Sequence, residues 1–408
     1  MRYLYLINNT FPYSTGESFL ESEMPIISKY FDKIIIFPIS ILGNEEYKKT
    51  RNIPSNVESI PIDINNKFIT KLYCSISSIS SLMLGKGVKR YIEASSYRFS
   101  QIRFEELSRR HSFDYLSNDD QIVIYSYWFY THTLIAIFLK DFLKEKGIDN
   151  VKIISRAHGF DVYKERQYLK FFPNREYMLR RINQVFVCSK QGRDYIVNEY
   201  PLYQDKIKVG RLGTIDNGKG SSSDNGAFVV VSCSSVIPLK QVHLISQAIS
   251  TIIKCGLEIE WHHFGDGSEL KRVQHIVKEY VGQNVFFHGN VQNSEIFNFY
   301  KHHKVDVFVN SSTTEGIPVS IMEAMSFGIP IIAPNVGGIS EIISEDIGCV
   351  LMSEYIGFED IIYGIRKIMN LGTEEKLLTR RKIRQYWENN YQASVNYEKF
   401  IEQVLNVN

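Results

Sequence analysis

The chain has 408 residues, 44% of them hydrophobic and 23% charged, which excludes disorder and collagen-like structure and, at about 150 residues per domain, points to two domains. Its 47 Lys and Arg against 45 Asp and Glu leave a formal charge of +2, too balanced for a chain whose main partner is a nucleic acid. Five scattered cysteines, Cys74, Cys188, Cys233, Cys255 and Cys349, form no C-x-x-C pair and fit a reducing cytoplasm.

At the N-terminus, MRYLYLINNTFPYS carries an apolar run far shorter than a secretory or membrane segment, so a soluble chain is expected. Short runs rich in Ile, Val, Tyr and Phe then alternate with segments of helical period, the pattern of βαβ units around parallel sheets and of the α/β class. Strands are expected at Tyr3 to Ile7, Lys33 to Phe37, Gln121 to Tyr125, Val151 to Ser155 and Val185 to Cys188. Leu20, Met24, Ile27 and Phe31 recur at helical spacing, with Pro25 expected to kink the helix, and Leu134 to Leu139 reads as part of a buried helix. The run GTIDNGKGSSSDNG, Gly213 to Gly226, has almost nothing apolar to bury and reads as an interdomain linker. Beyond it, strands are expected at Phe228 to Ser232, Glu258 to Phe264, Val285 to Phe287, Val305 to Val309, Ile329 to Ala333 and Cys349 to Leu351, and Thr373 to Val407 is helical throughout. Two such halves would enclose a cleft, and ligands of such sheets bind outside the carboxyl ends of the strands.

The most informative stretch is Val305 to Ile343, in which a strand leads through Glu315, Gly316, Ile317, Pro318 and Val319 to Glu323, then through another strand to a Gly-Gly turn. On one helix Glu315 and Glu323 would stand about 12 Å apart, suited to opposite ends of a long ligand. Gly316 to Val319 would supply the first helical turn and its free N–H groups to a phosphate. A phosphate between two carboxylates that accept sugar hydroxyls is the chemistry of a nucleotide-sugar site. A second polar cluster, SRAHGFDVY, ends the strand from Val151 with Arg156, His158, Gly159 and Asp161. In a third, VSCSSVIPLKQVHLISQAI, Lys240 stands at the start of an amphipathic helix.

The E-x7-E of Glu315 and Glu323, the following GIPIIAPNVGG and the earlier RAHGFD resemble retaining glycosyltransferase family 4, over nearly the whole chain and most closely from Val151 to Glu341. The resemblance implies the two-domain GT-B fold. Its domains would be an acceptor-binding Rossmann-like domain over 1–212, a linker over 213–226, a nucleotide-sugar domain over 227–385, and a C-terminal helix over 386–408 packing on the first. It further implies that Glu315 meets hydroxyls of the transferred sugar, Glu323 the ribose, His158 the reacting sugar by hydrogen bonding, and Lys240 the diphosphate. Gly16, in FPYSTGESF, would border the sugar phosphate, and Val291, in FFHGNV, the base; Gly265, in HHFGDGSEL, sits in a further turn bordering the nucleotide. Arg156 and Asp161 are candidate substrate contacts. One departure stands out: Ser235 occupies the place of the family's usual phosphate-binding Arg, with Arg211 a substitute by elimination only.

The chain has no D-x-D to present a divalent metal to a diphosphate, so no metal or other cofactor is expected; the adjacent pairs His262–His263 and His302–His303 lack the spacing of ligands. The absence of G-x-G-x-x-G counts against a nicotinamide enzyme. The aromatics of YSYWFYTH, Tyr125 to His132, read as core before acceptor platform. From Lys67 to Arg110 basic residues interleave with apolar ones, either a solvated helix face or a surface for anionic lipid. The expected activity is therefore metal-independent, retaining transfer of a sugar from a nucleotide sugar to a glycan or lipid-linked acceptor, in the cytoplasm at the inner face of the membrane. A non-catalytic partner subunit, a nucleotide-sugar epimerase and a sugar phosphorylase are the alternatives.

Overall fold

The computed structural model describes residues 1–13, 16–40, 51–62, 87–221 and 226–407, and the chain divides into two compact units, 1–212 with 396–408, and 213–395. In the first unit β1 (Arg2–Asn8), β2 (Lys33–Pro38), β3 (Val57–Ser59), β4 (Gln121–Ser126), β5 (Val151–Ala157), β6 (Gln184–Val187) and β7 (Ile207–Val209) form a sheet in the order β3-β2-β1-β4-β5-β6-β7. Every pairing in it is parallel. Helices cover both faces of such a sheet, so its strands are apolar on both sides: Leu4 through Ile7 and Ile34 through Phe37 are all buried. The helix Thr131–Glu145 brings Leu134 to Ile137 and Leu139 into the same core, as the apolar run predicted. Pro25 lies inside the helix Phe19–Ile27 without ending it, and the chain tightens into a 3₁₀ turn at Ser28–Tyr30.

The second unit repeats the plan with β8 (Phe228–Cys233), β9 (Ile259–Phe264), β10 (Val285–Gly289), β11 (Val307–Val309), β12 (Ile331–Pro334) and β13 (Val350–Met352), in the order β10-β9-β8-β11-β12-β13 and again parallel. In each sheet the order reverses beside its first strand, between β1 and β4 and between β8 and β11. These switch points are where loops diverge and a crevice opens. Two strands escape the periodicity reading, β3 and β7, each three residues long at an edge of the first sheet and each with one exposed position, too short to register as an apolar run.

Residues 213–221, read as linker, are held to the second unit. Trp387 Nε1 donates to Thr214 Oγ1 at 2.8 Å, and Arg384 pairs with Asp216 at 2.5 Å, both from the helix Thr373–Asn390. The next helix, Ala393–Leu405, enters the first unit from Asn396 onward, where Phe400 packs edge-on against Phe186 at 4.9 Å.

Candidate functional site

In the second unit, β8 leads through Ser235, which is exposed, to a 3₁₀ turn at Pro238–Lys240, closed by Gln241 in the left-handed region at φ 46°. The helix Val242–Lys254 starts only after this turn, so Lys240 precedes the helix rather than opening it. Across the switch point, the loop after β11 is stitched to this turn: Ser311 Oγ donates to the Lys240 carbonyl at 2.8 Å, and the Thr313 N–H to the Leu239 carbonyl at 2.9 Å. The two loops thereby set Lys240 Nζ at 2.5 Å from Glu315 Oε1. The same oxygen accepts from Ser312 Oγ at 2.6 Å and from Asn310 Nδ2 at 3.4 Å, while the Ser312 N–H donates to Asn310 Oδ1 at 3.0 Å. Lys240 and Glu315 keep 22% and 11% of their side-chain surface exposed, so the pair is ordered yet open to an incoming anion.

The Gly-Gly turn after β12 supports this loop from beneath. Gly337 has φ +55°, and a Cβ there would collide with the Glu315 carbonyl oxygen; a Cβ on Gly338 would meet that of Gly316, to which the Gly338 N–H donates at 3.0 Å. This clamp and the extended Pro318, at φ −75° and ψ 110°, keep Gly316 to Pro318 out of the helix, which begins at Val319. The expected first turn at Gly316 is thus corrected, and Glu315 and Glu323 do not share a helix. Glu323 lies on the helix Val319–Ser326, is 9% exposed, and accepts from Asn293 Nδ2 at 3.2 Å. Burial, with the Glu323 charge adding, pushes the nearby Cys233 thiol up to about 12. Val291 is partly buried in the turn that precedes the helix Asn293–His302. The Gly265 and Gly289 turns are joined, the Gly265 N–H donating to the Gly289 carbonyl at 2.8 Å.

In the first unit the corresponding loops do something different. Gly16 is exposed, and its carbonyl accepts from Arg51 Nη1 at 2.8 Å. Its neighbour Glu17, at φ 57° and buried, was not singled out from the sequence and organises the switch point. Its carboxylate accepts the N–H groups of Asn9 at 2.8 Å, Thr10 at 2.8 Å and Phe11 at 3.0 Å, with Asn8 Nδ2 at 3.0 Å. Trp128 Nε1, from the loop after β4, adds a fifth donor at 2.7 Å. An acid directly after the glycine of a turn rich in Asn, Thr and Gly was the available signal, since such turns leave several N–H groups to satisfy.

At the end of β5, Arg156 and Asp161 are both fully buried, which corrects their reading as substrate contacts. The Arg156 guanidinium lies 3.4 Å from Glu23 and over the ring of Phe400 at 4.1 Å. Asp161 accepts the N–H groups of His158 and Phe129, each at 2.8 Å, and so shapes the loop. His158 is partly buried, stacked on Phe19 and tilted against Tyr127 and Trp128. Its Nε2–H donates to the Tyr127 carbonyl at 3.1 Å and its Nδ1 faces Cys188 Sγ at 3.4 Å. Burial and the Arg156 charge push its pKa down to about 3, so the imidazole is neutral.

Tyr125, Tyr127 and Phe129 are core residues. Of the basic stretch, Lys67, Lys71 and Lys86 fall outside the described residues, and Arg103 turns inward to donate to the Ile62 carbonyl at 3.1 Å. Arg211, exposed, belongs to the first unit. No described helix is long and apolar enough to cross a membrane.

Residues 216–390 match the family model for glycosyl transferases group 1. The chain is 26% identical to Protein CapJ of Staphylococcus aureus over 231 residues, 53% of this chain and 56% of that one. It is likewise 26% identical to the putative colanic acid biosynthesis glycosyltransferase WcaL of Escherichia coli over 223 residues, 50% of this chain and 52% of WcaL. The chain thus spans about half the length of the curated relatives it matches. Among solved structures, Anabaena Alr3699/HepE in complex with UDP and glucose is similar over 100% of both chains with a TM-score of 0.66 at 14% identity, a likeness of fold, the GT-B arrangement of two Rossmann-like units.

Proposed function

We propose, from the match of residues 216–390 to the family model for glycosyl transferases group 1, that the chain is a retaining, metal-independent glycosyltransferase. It would move a sugar from a nucleotide sugar to a hydroxyl of a glycan or lipid-linked acceptor in surface polysaccharide or glycoconjugate synthesis. The observation that carries this reading is the Lys240–Glu315 pair, 2.5 Å apart on two loops stitched across the switch point of the second sheet, with Glu323 on the helix that follows. An ammonium at that place compensates charge as it develops on the leaving diphosphate. Glu315 would accept hydroxyls of the transferred sugar and Glu323 those of the ribose, with Val291 beside the base and the backbone of Gly316 to Val319 along the donor.

No resident cofactor enters the reading. The bond from the anomeric carbon to the phosphate oxygen breaks as the acceptor oxygen bonds on the same face, and the acceptor proton passes to the leaving phosphate. His158 takes part as a neutral imidazole that shapes the acceptor side with Gly16, and to reach a sugar its Nε2–H must leave the Tyr127 carbonyl. The name of the colanic acid relative and the HepE complex support a polysaccharide setting and a nucleotide-sugar donor. The reading places the protein in the cytoplasm, at the inner membrane face wherever the acceptor is lipid-linked.

The test is release of nucleotide from UDP-, GDP-, ADP- and TDP-sugars in EDTA, beside Glu315→Gln. Release from one donor, lost in the variant, is expected; release that survives the substitution, or needs a divalent metal, overturns the assignment. Ser235 favours one second reading, a partner subunit that binds without turnover, and nucleotide binding with no release under any acceptor would select it.

A further inference from the structure

The first unit contains a cavity of about 170 Å³ that none of the chemistry above uses, lined among others by Lys89, Lys164, Lys170, Arg175, Phe171 and Tyr195. Ligand pockets commonly measure about 300–1,000 Å³, so this one suits a single substituent rather than a nucleotide. Its cations come from separate pieces of chain. Lys89 stands on the helix Gly87–Arg110, its ammonium 5.7 Å over the ring of Phe171, and Lys164 opens the 3₁₀ turn after β5. Lys170 is held at φ 51°, a backbone conformation that a side-chain-bearing residue adopts at a cost.

Arg175 is the decisive group. It is 2% exposed, its guanidinium is sandwiched between Phe129 at 4.0 Å and Phe172 at 4.1 Å, and its buried Nε has no hydrogen-bond partner. Among the described residues one carboxylate lines the cavity, Glu199, and it is paired with Lys164 at 2.7 Å. Burial pushes the Arg175 pKa down to about 10, a penalty on its charge that a bound anion relieves. The cavity also adjoins the loop that carries His158: Arg175 Nη2 donates to the Asp161 carbonyl at 2.7 Å, and the Asp161 carboxylate holds the His158 N–H at 2.8 Å.

We propose that this cavity is an oxyanion subsite that takes a phosphate monoester or a carboxylate carried by the acceptor glycan. That the anion belongs to an acceptor rests on the function proposed above; that the cavity binds an oxyanion does not. The full chain would be titrated by calorimetry with methyl phosphate, methyl glucuronide and the neutral methyl glucoside. The Lys89→Ala/Lys170→Ala double variant, at two exposed positions, and Arg175→Lys follow, with UDP titrated into every sample.

At least one anionic probe is expected to bind about tenfold or more tightly than the glucoside, and to weaken about tenfold in the double variant. Whichever of methyl phosphate and the glucuronide binds better identifies the source of the oxyanion. Anions bound no better than the glucoside, or equally well by wild type and double variant, overturn the subsite. Binding of oxyanions without UDP supports the subsite and sinks the donor reading, whereas UDP binding without oxyanions does the reverse.

Discussion

The carboxyl ends of β5 and β11 both run into polar residues, yet the two stretches put their charges to opposite uses. After β5, Arg156 and Asp161 are sealed inside the first unit, one against Glu23 and Phe400, the other bonded to backbone N–H groups. After β11, Glu315 meets Lys240 where both side chains still reach solvent. A polar cluster after a strand is therefore architecture or site depending on whether its charges are already neutralised in the dark. Only the second arrangement can exchange an internal partner for a ligand.

The comparison breaks most visibly where burial is complete. Glu23→Ala, which leaves the Arg156 charge sealed without its carboxylate, is expected to cost about 3–5 kcal/mol by denaturant titration, whereas Glu315→Ala, at the pair that still reaches solvent, should cost less. Equal costs would erase the distinction. In activity the order reverses: Lys240→Ala is expected to lower turnover by about 10²–10³-fold, the loss of one preorganised charge on the leaving group, with little change in melting.

Glu17→Gln should show an intermediate effect, about 1.5–3 kcal/mol, because an amide cannot accept all five donors. A Glu17→Asp variant that restores acceptor KM without restoring Tm would show that loop position, and not stability alone, matters to transfer.

A further effect of burial is in pH. The folded-state pKa of His158, about 3, lies below its ordinary 6.5, so the unfolded chain takes up the proton first and stability falls as pH drops below about 6.5 toward 3. His132, also near 3, and His263, near 4, add in the same direction. Melting between pH 8 and 5 should therefore decline, and less steeply in His158→Gln; the pH profile of turnover from 6 to 8 should show no inflection from His158.

Much of this architecture is legible in the sequence. The alternation of apolar runs located eleven of the strands now seen, because parallel strands buried on both faces leave an unbroken apolar signature. It missed β3 and β7, whose three residues at a sheet edge give no such run. Motif reading singled out Lys240 and Glu315 from separate stretches, and the fold sets them 2.5 Å apart. The same reading misplaced Gly316 to Pro318, since the clamp from Gly337 and Gly338 acts through backbone contacts distant in sequence. The cavity around Arg175 was invisible for a related reason: it is made by segments that only the fold assembles.

The most direct test of the central contrast is the affinity for UDP, or for whichever nucleotide the donor panel identifies, in wild type, Lys240→Ala and Glu23→Gln. The account predicts at least about tenfold weaker binding for Lys240→Ala, a lost charge-assisted contact to phosphate, and unchanged affinity for Glu23→Gln despite its lowered stability. Nucleotide affinity that is indifferent to Lys240, or that follows Glu23, would contradict it.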